Sequence, residues 1–357
     1  MFPLMKEKRI LVLRLSAVGD VIRTLPAVQA LKQQLPSSIT WIVEEPSKTF
    51  LESQPEIDEV ILFPRKRWVK GIRSIRKVKK TILEMIRFIL NLRKKKFDIV
   101  LDFHGILKSG LLSFFSGAPQ RVGFGRRWSK EGNFLFSNIR VNLPEERINR
   151  YQRNLILLNG IGLNKIDQSY QFHIPQEDRV YVDSFFSQLP KPIRKPLIAI
   201  HPGSSPKTVY KRWMPERYGE LADRLIRELK ATVLFTWGPE ELEGIKEIQS
   251  KMKELSFLAP RTESLTQLAE IYRRCDLYIG GDTGPTHIAS LVKVPVVVIF
   301  GPTDPMINEP FGFHKKVRKD VGCNPCRNRS CNKLTCLKAI EVEDVFNGVK
   351  EILWTTI

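Results

Sequence analysis

Short apolar runs recur along the chain, and most are followed by stretches with helical spacing. Ile10–Leu15 is the first run, and Val21–Leu35 after it carries Ile22, Leu25, Val28 and Leu31 on one helical face. Ile39–Val43, Val60–Phe63 and Phe97–Phe103 read as further strands. Arg147–Leu163 reads as a helix that closes a first domain. Pro190, Pro192 and Pro196 then punctuate the chain, and the alternation restarts. Leu197–His201, Thr232–Thr236, Leu277–Ile279 and Val294–Phe300 are strands. Arg217–Leu229, Leu242–Met252, Leu265–Arg274 and Val342–Trp354 are helices. Strands alternating with helices predict βαβ units and parallel sheets. The expected domains are residues 1–175 and 196–340, with a connection at 176–195 and a terminal helix at 341–357.

Length and composition agree with two folded domains. The chain has 357 residues, and 42% of them are hydrophobic, enough for sizeable cores. The charge changes the picture more. Lys+Arg 58 against Asp+Glu 38 gives +20, which favours an anionic partner: nucleic acid, an anionic membrane or a phosphorylated substrate. Arg65–Lys80 holds much of it, and apolar positions Ile72, Ile75, Val78, Ile82, Met85, Ile89 and Leu92 follow at helical spacing. This helix suits an anionic bilayer, or it simply presents a solvated face. No stretch of ~18 uncharged apolar residues predicts a spanning helix. Residues 1–8 show no signal-peptide core, so a cytoplasmic protein is expected.

The stretch with most chemical content is Asp276–Ala289. A short strand ends in Gly280-Gly281-Asp282. Thr283 can cap the next helix, Gly284 admits a ligand close to the backbone, and Pro285 suits an early helical position. A helix N-terminus bare of bulky side chains binds anions through its free N–H groups and its dipole. The same residues also suit an ordinary strand-to-helix turn with a satisfied His287.

Asp282-Thr283-Gly284-x-x-His287-x-Ala289 resembles the C-terminal signature of the family 9 glycosyltransferases, the lipopolysaccharide heptosyltransferases. Ser16-Ala17-Val18-Gly19-Asp20-Val21, followed by Thr24-Leu25-Pro26, resembles the N-terminal one. Asp102-x-x-Gly105-x-x-Lys108-Ser109 is also similar, and Arg67-Trp68 is nearest the heptosyltransferase I pattern. The resemblance implies a GT-B fold, with two Rossmann-like domains facing across a cleft. It implies inverting transfer of heptose from ADP-heptose to the Kdo-lipid A inner core, on the inner face of the cytoplasmic membrane.

Such a transfer needs a base for the acceptor hydroxyl, positive charge for the leaving diphosphate, and a grip on the nucleoside. Asp20, in the loop after the first strand, is the candidate base, and an N-cap is its plainer role. Lys211-Arg212-Trp213-x-Pro215 resembles the family's lysine segment with one residue inserted, so the diphosphate cation is Lys211 or Arg212. Lysine would stand where other enzymes use a metal, and no Asp-x-Asp motif is present. Gly203, Ser204 and Ser205, with Asp282, Thr283, Gly284 and His287, are donor candidates. Glu241, or Glu240, is the candidate for the ribose. Arg65, Arg67, Lys70, Lys108, Arg121 and Arg126 are candidates for the anionic acceptor.

No catalytic cofactor is expected. Cys323, Cys326, Cys331 and Cys336 have a compact spacing that suits structural Zn or Fe, or else free or redox-paired thiols. Transfer of a sugar to protein or to another glycan is an alternative activity. A nucleic-acid-binding module using the basic stretch and the cysteines is a non-enzymatic one. Little aromatic interleaving supports the latter, and no nucleic acid is expected as partner.

Overall fold

A computed structural model describes residues 7–164, 170–190, 192–326 and 328–355. The expectations for residues 1–6 and for the last two residues lie outside these. The chain separates into two compact units, residues 1–170 and 171–357.

The first unit holds six parallel strands: β1 (Lys8–Leu13), β2 (Ser37–Val43), β3 (Glu59–Leu62), β4 (Ile99–Asp102), β5 (Gln120–Phe124) and β6 (Ile139–Val141). Their order is β3-β2-β1-β4-β5-β6. The apolar runs of β1, β2 and β4 are almost wholly buried, as strands covered on both faces must be. The helix expected at Val21–Leu35 is two helices, Val18–Ile22 and Leu25–Gln34. Pro26 lacks an N–H and so suits a first turn, which forces a new start there. Asp20 is therefore inside a short helix, with Ala17 at its N-cap position.

The basic stretch also divides, into Arg65–Ile72 and Val78–Lys94. Trp68 and Leu92 anchor these helices on Leu13, Ile42 and Val100 of the sheet. Arg121–Phe124, expected as loop, lies on β5.

The second unit repeats the plan with β7 (Leu197–His201), β8 (Thr232–Phe235), β9 (Phe257–Leu258), β10 (Leu277–Gly281), β11 (Val296–Ile299) and β12 (His314–Val317). All are parallel, in the order β12-β11-β10-β7-β8-β9. The helix Gln176–Gln188 belongs to this unit. Asp178 accepts hydrogen bonds from Ser264 and Thr266 at the start of the helix Leu265–Arg273. The C-terminal helix Val342–Thr355 also packs into this unit's core, with Val345, Phe346 and Val349 buried.

Each sheet reverses its strand order once, between β1 and β4 and between β7 and β10. Open parallel sheets bind ligands at the carboxyl ends of strands flanking such a reversal. Among the described residues, no helix is long and apolar enough to cross a membrane.

Candidate functional site

At the first reversal, the turn after β1 carries Asp20 and the turn after β4 carries His104. Asp102, fully buried at the end of β4, fixes the second turn. Its carboxylate accepts from the backbone N–H groups of His104 (3.0 Å) and Gly105 (3.1 Å) and from Asn133 Nδ2 (2.7 Å). His104 Nδ1 accepts from the Leu15 N–H (3.1 Å), which ties the two turns together. Burial, with Arg14 nearby, lowers the imidazole to about 3, so it is neutral with its proton on Nε2.

Asp20 is surrounded by arginines. Arg23 Nη1 lies 3.1 Å from Oδ1 and Arg150 Nη1 2.7 Å from the same oxygen, while Arg14 pairs with Oδ2. Arg14 also donates to the Phe103 carbonyl (2.8 Å), spanning β1 and β4. Burial pushes the Asp20 carboxyl up, but the three guanidiniums outweigh it and hold the group far below the usual carboxylate range. Arg153 is beside them, stacked 4.2 Å from the Phe124 ring and lowered to about 10, mainly by burial. Of these arginines, only Arg14 carried a readable signal: a charge interrupting an apolar strand at its carboxyl end.

The six arginines and lysines expected at the acceptor are dispersed by comparison. Arg65 pairs with Glu44 (2.9 Å) and Arg67 with Glu84 (3.4 Å). Arg121 donates to the carbonyls of Phe136 (3.0 Å) and Ala118 (2.9 Å). Arg126 is exposed and lies over Phe134. Lys70 is exposed on the basic helix, and Lys108 is half-buried one turn beyond His104. These six do not cluster around Asp20 as Arg14, Arg23 and Arg150 do.

At the second reversal, the turns after β7 and β10 meet. Lys211 Nζ lies 3.0 Å from Asp282 Oδ2 and 3.1 Å from its backbone oxygen. Asp282 is buried and Lys211 is mostly so. Gly281 permits this approach, since a Cβ there would lie 3.3 Å from the Lys211 carbonyl. Beyond it begins the helix Gly284–Leu291, with Thr283 at the N-cap position. The expected side-chain cap is not made, and residues 283–285 are only half-buried. His287 is buried one turn on, with Nε2 3.5 Å from Asp282 Oδ1. An orienting carboxylate, a cation and a helix N-terminus thus converge within one unit.

Arg212 turns the other way. It donates to Ser204 Oγ (3.1 Å) and to the Ser204 carbonyl, and lies 3.7 Å from Glu241. Ser205 is exposed, with Oγ 3.0 Å from Thr208 Oγ1. Glu241 is drawn in, where Oε2 accepts from the Gly238 N–H (2.7 Å) and lies 3.4 Å from His201 Nε2. Glu240 is exposed. A Cβ on Gly203 would sit 2.1 Å from Glu241 Oε2, so the carboxylate occupies space that only glycine leaves. His201 is fully enclosed, with Nδ1 3.0 Å from Thr236 Oγ1, and burial lowers its pKa.

The cysteines are in the second unit. Cys336 is buried, Cys326 donates its N–H to the Pro302 carbonyl (2.8 Å), and all four are free thiols. Among the described residues, no three His, Cys, Asp or Glu side chains are arranged to hold a metal ion.

The family model for glycosyltransferase family 9 (heptosyltransferase) matches residues 85–336, well over half the chain. The chain belongs to this family. A similar curated relative is the lipopolysaccharide core heptosyltransferase OpsX of Haemophilus influenzae, 28% identical over 98% of this chain and 99% of that protein. A family 9 glycosyltransferase from Veillonella parvula superposes with a TM-score of 0.76 at 26% identity, covering 98% of this chain and 97% of the other. Escherichia coli heptosyltransferase WaaC has been solved with ADP and with ADP-2-deoxy-2-fluoro heptose. Those two structures match at TM-scores of 0.73 and 0.70 and 22% identity. They cover 96% and 98% of this chain and 99% and 100% of theirs. The family 9 chain is thus a glycosyltransferase of the GT-B class, built from two Rossmann-like domains.

Proposed function

We propose that this glycosyltransferase moves heptose from ADP-heptose to the Kdo-lipid A inner core of lipopolysaccharide, with inversion at the transferred carbon. The observation that carries the reading is the Lys211–Asp282 pair at the open N-terminus of the helix Gly284–Leu291. A lysine ammonium has three donors, and Asp282 takes two of them here. The third is available to a diphosphate that also meets the amides of Gly284 and Thr286. Fixed positive charge at the leaving group lowers the barrier without a divalent metal. Glu241 accepts the ribose hydroxyls, and Gly203, Ser204 and Ser205 line the same turn. Asp282 and His287 orient the loop and the sugar.

Asp20 is the general base for the acceptor hydroxyl, and a single base suits direct displacement. The donor is the parent of the ADP-2-deoxy-2-fluoro heptose named in the WaaC complex, and the acceptor class follows the relatives' names. The test is ADP release from ADP-heptose with and without Kdo-lipid A. Acceptor-dependent release supports the reading; release with other sugar acceptors only would redirect it.

The enzyme acts at the cytoplasmic face of the inner membrane as a peripheral protein. Between Arg65 and Lys96 there are fourteen lysines and arginines and one acid, Glu84. On the second of these helices, Val78–Lys94, Ile82, Leu83, Ile86 and Leu90 are exposed, Leu83 by 54%, and Ile75 between the two helices by 94%. Apolar side chains within a dense single-sign field suit an anionic bilayer better than nucleic acid, which would call for stacking aromatics.

A further inference from the structure

Beneath the turns after β7 and β10 lies a buried layer of polar side chains. His201 ends β7, Thr236 follows β8, Tyr272 lies on the helix Leu265–Arg273 and Tyr278 on β10, and all four are buried. His201 Nε2 lies 3.4 Å from Glu241 Oε2, and Nδ1 lies 3.0 Å from Thr236 Oγ1. Thr236 Oγ1 lies 3.0 Å from the Tyr272 hydroxyl, and the Tyr272 ring meets that of Tyr278 edge-on at 4.9 Å. The Tyr278 hydroxyl lies 3.1 Å from Thr286 Oγ1, in the first turn of the helix Gly284–Leu291.

Charge fixes the direction of the links nearest Glu241. A carboxylate only accepts, so the imidazole proton faces it from Nε2. Burial lowers the His201 pKa, which keeps the ring neutral and leaves Nδ1 as an acceptor. The Thr236 hydroxyl is therefore the donor to Nδ1; its other acceptor, the Ile200 carbonyl, is farther at 3.5 Å. Tyr272 donates to Thr236 in turn. Glu241 Oε2 is thereby engaged, by the Gly238 N–H at 2.7 Å and by the imidazole. Oε1 has Arg212 at 3.7 Å, beyond hydrogen-bond range, and keeps lone pairs for a ligand. Apolar groups of the same shape could fill such a layer at little cost in stability. Its place behind a ligand-facing carboxylate gives the polar version a use.

We propose that His201 is a positioning residue for the nucleotide: backed by Thr236 and Tyr272, it holds the Glu241 carboxylate turned so that Oε1 is offered to the ribose hydroxyls. The inference rests on the reading of Glu241 as the ribose acceptor and extends it to a residue that acts only through that carboxylate. Gly203 leaves the space that Glu241 fills, and His201 decides which way it faces. A ribose hydroxyl then meets an oxygen already oriented, so less freedom is lost on binding. A nucleotide without these hydroxyls gains nothing from the arrangement.

Calorimetry on the full chain compares ADP with 2′,3′-dideoxy-ADP, which lacks both ribose hydroxyls. Wild type is expected to prefer ADP by about tenfold or more. His201→Phe should weaken ADP ~tenfold and leave dideoxy-ADP within ~twofold, so that the preference is lost. His201→Gln, which can carry an amide N–H to the place of Nε2, should keep part of it. Thr236→Val keeps the shape of Thr236 but removes the donor that fixes the imidazole tautomer, and should cut the preference ~threefold. In a Glu241→Ala background, His201→Phe should change the preference no further. A merely structural His201 would weaken both nucleotides alike, and that result overturns the proposal. Should His201→Phe fail to fold, Thr236→Val decides, and an unchanged preference overturns the proposal. No preference in wild type, or none lost in Glu241→Ala, means that the ribose reading has failed, and the role of His201 falls with it. A preference lost in Glu241→Ala but kept in the His201 and Thr236 variants overturns the role of His201 alone.

Discussion

Arg150 Nη1 lies 2.7 Å from Asp20 Oδ1, although 130 residues separate them. The contact joins the first helix of the first unit to the start of the helix Arg150–Leu157. With Arg14 and Arg23 it holds the Asp20 carboxyl far below the usual carboxylate range.

Asp20→Asn is therefore expected to act in two ways. Loss of the base should lower kcat by ~10²–10⁴-fold. Three arginines left without their carboxylate should also lower stability, by less than the ~3–5 kcal/mol typical of a fully buried pair, since Asp20 is one-fifth exposed. ADP affinity, measured by calorimetry, should not change. Full turnover in this variant would move the base elsewhere.

Lys211→Met should cut kcat by ~10²–10³-fold, the usual loss on removing one fixed stabiliser of transition-state charge. It also leaves Asp282 buried without its cation. Lys211→Met combined with Asp282→Asn should consequently be more stable in thermal melts than Lys211→Met alone, yet no more active.

Gly203→Ala tests the nucleoside grip sterically. The new methyl would meet the Glu241 carboxylate at 2.1–2.4 Å, so that side chain must leave. The KM for ADP-heptose is expected to rise about tenfold, a loss of ~1.4 kcal/mol. In a Glu241→Ala background the same substitution should add little, because the methyl displaces a carboxylate already gone.

Stability should fall in acid in two stages. His104, lowered to about 3, and His201, also lowered, are neutral in the folded chain but take up protons in the unfolded one below ~6.5. The unfolded state then binds more protons, so stability drops as pH falls from ~6.5 towards 4. Below ~4 the depressed carboxyl of Asp20 adds its own loss, since its stabilisation exists only above the unfolded value. His104→Asn keeps an acceptor for the Leu15 N–H but cannot charge. Its melting temperature should vary less between pH 7 and 4.5 than that of wild type.

Leu83→Glu with Ile86→Glu should leave ADP-heptose binding intact and lower partition onto anionic vesicles at least tenfold. Wild-type partition should itself weaken as salt is raised from 0.05 to 0.5 M, read by sedimentation. Equal binding to neutral and anionic vesicles would discount the basic helices.

Strands with long apolar runs were legible in the sequence, but their order in each sheet, and so both reversals, was not, since pairing joins strands far apart in the chain. Four strands were not. β9 has two residues and β6 three, too short for periodicity, and β12 reads His-Lys-Lys-Val, a polar edge. β5 was masked by Arg121 and Gly123. At the site, Asp20, Lys211, Asp282 and Glu241 stood out because each follows a strand within a recognisable motif. Arg150 and His201 did not, since their importance lies in partners 130 and 40 residues away, which no local pattern encodes.

The salt link between residues 20 and 150 also bears on biogenesis. During synthesis β1 and its following turn leave the ribosome long before the helix Arg150–Leu157 does. A nascent chain stalled at residue 145 already holds Asp20, Arg14 and Arg23 but lacks the last guanidinium. The arginine cluster around Asp20 is therefore completed only as the helix Arg150–Leu157 emerges.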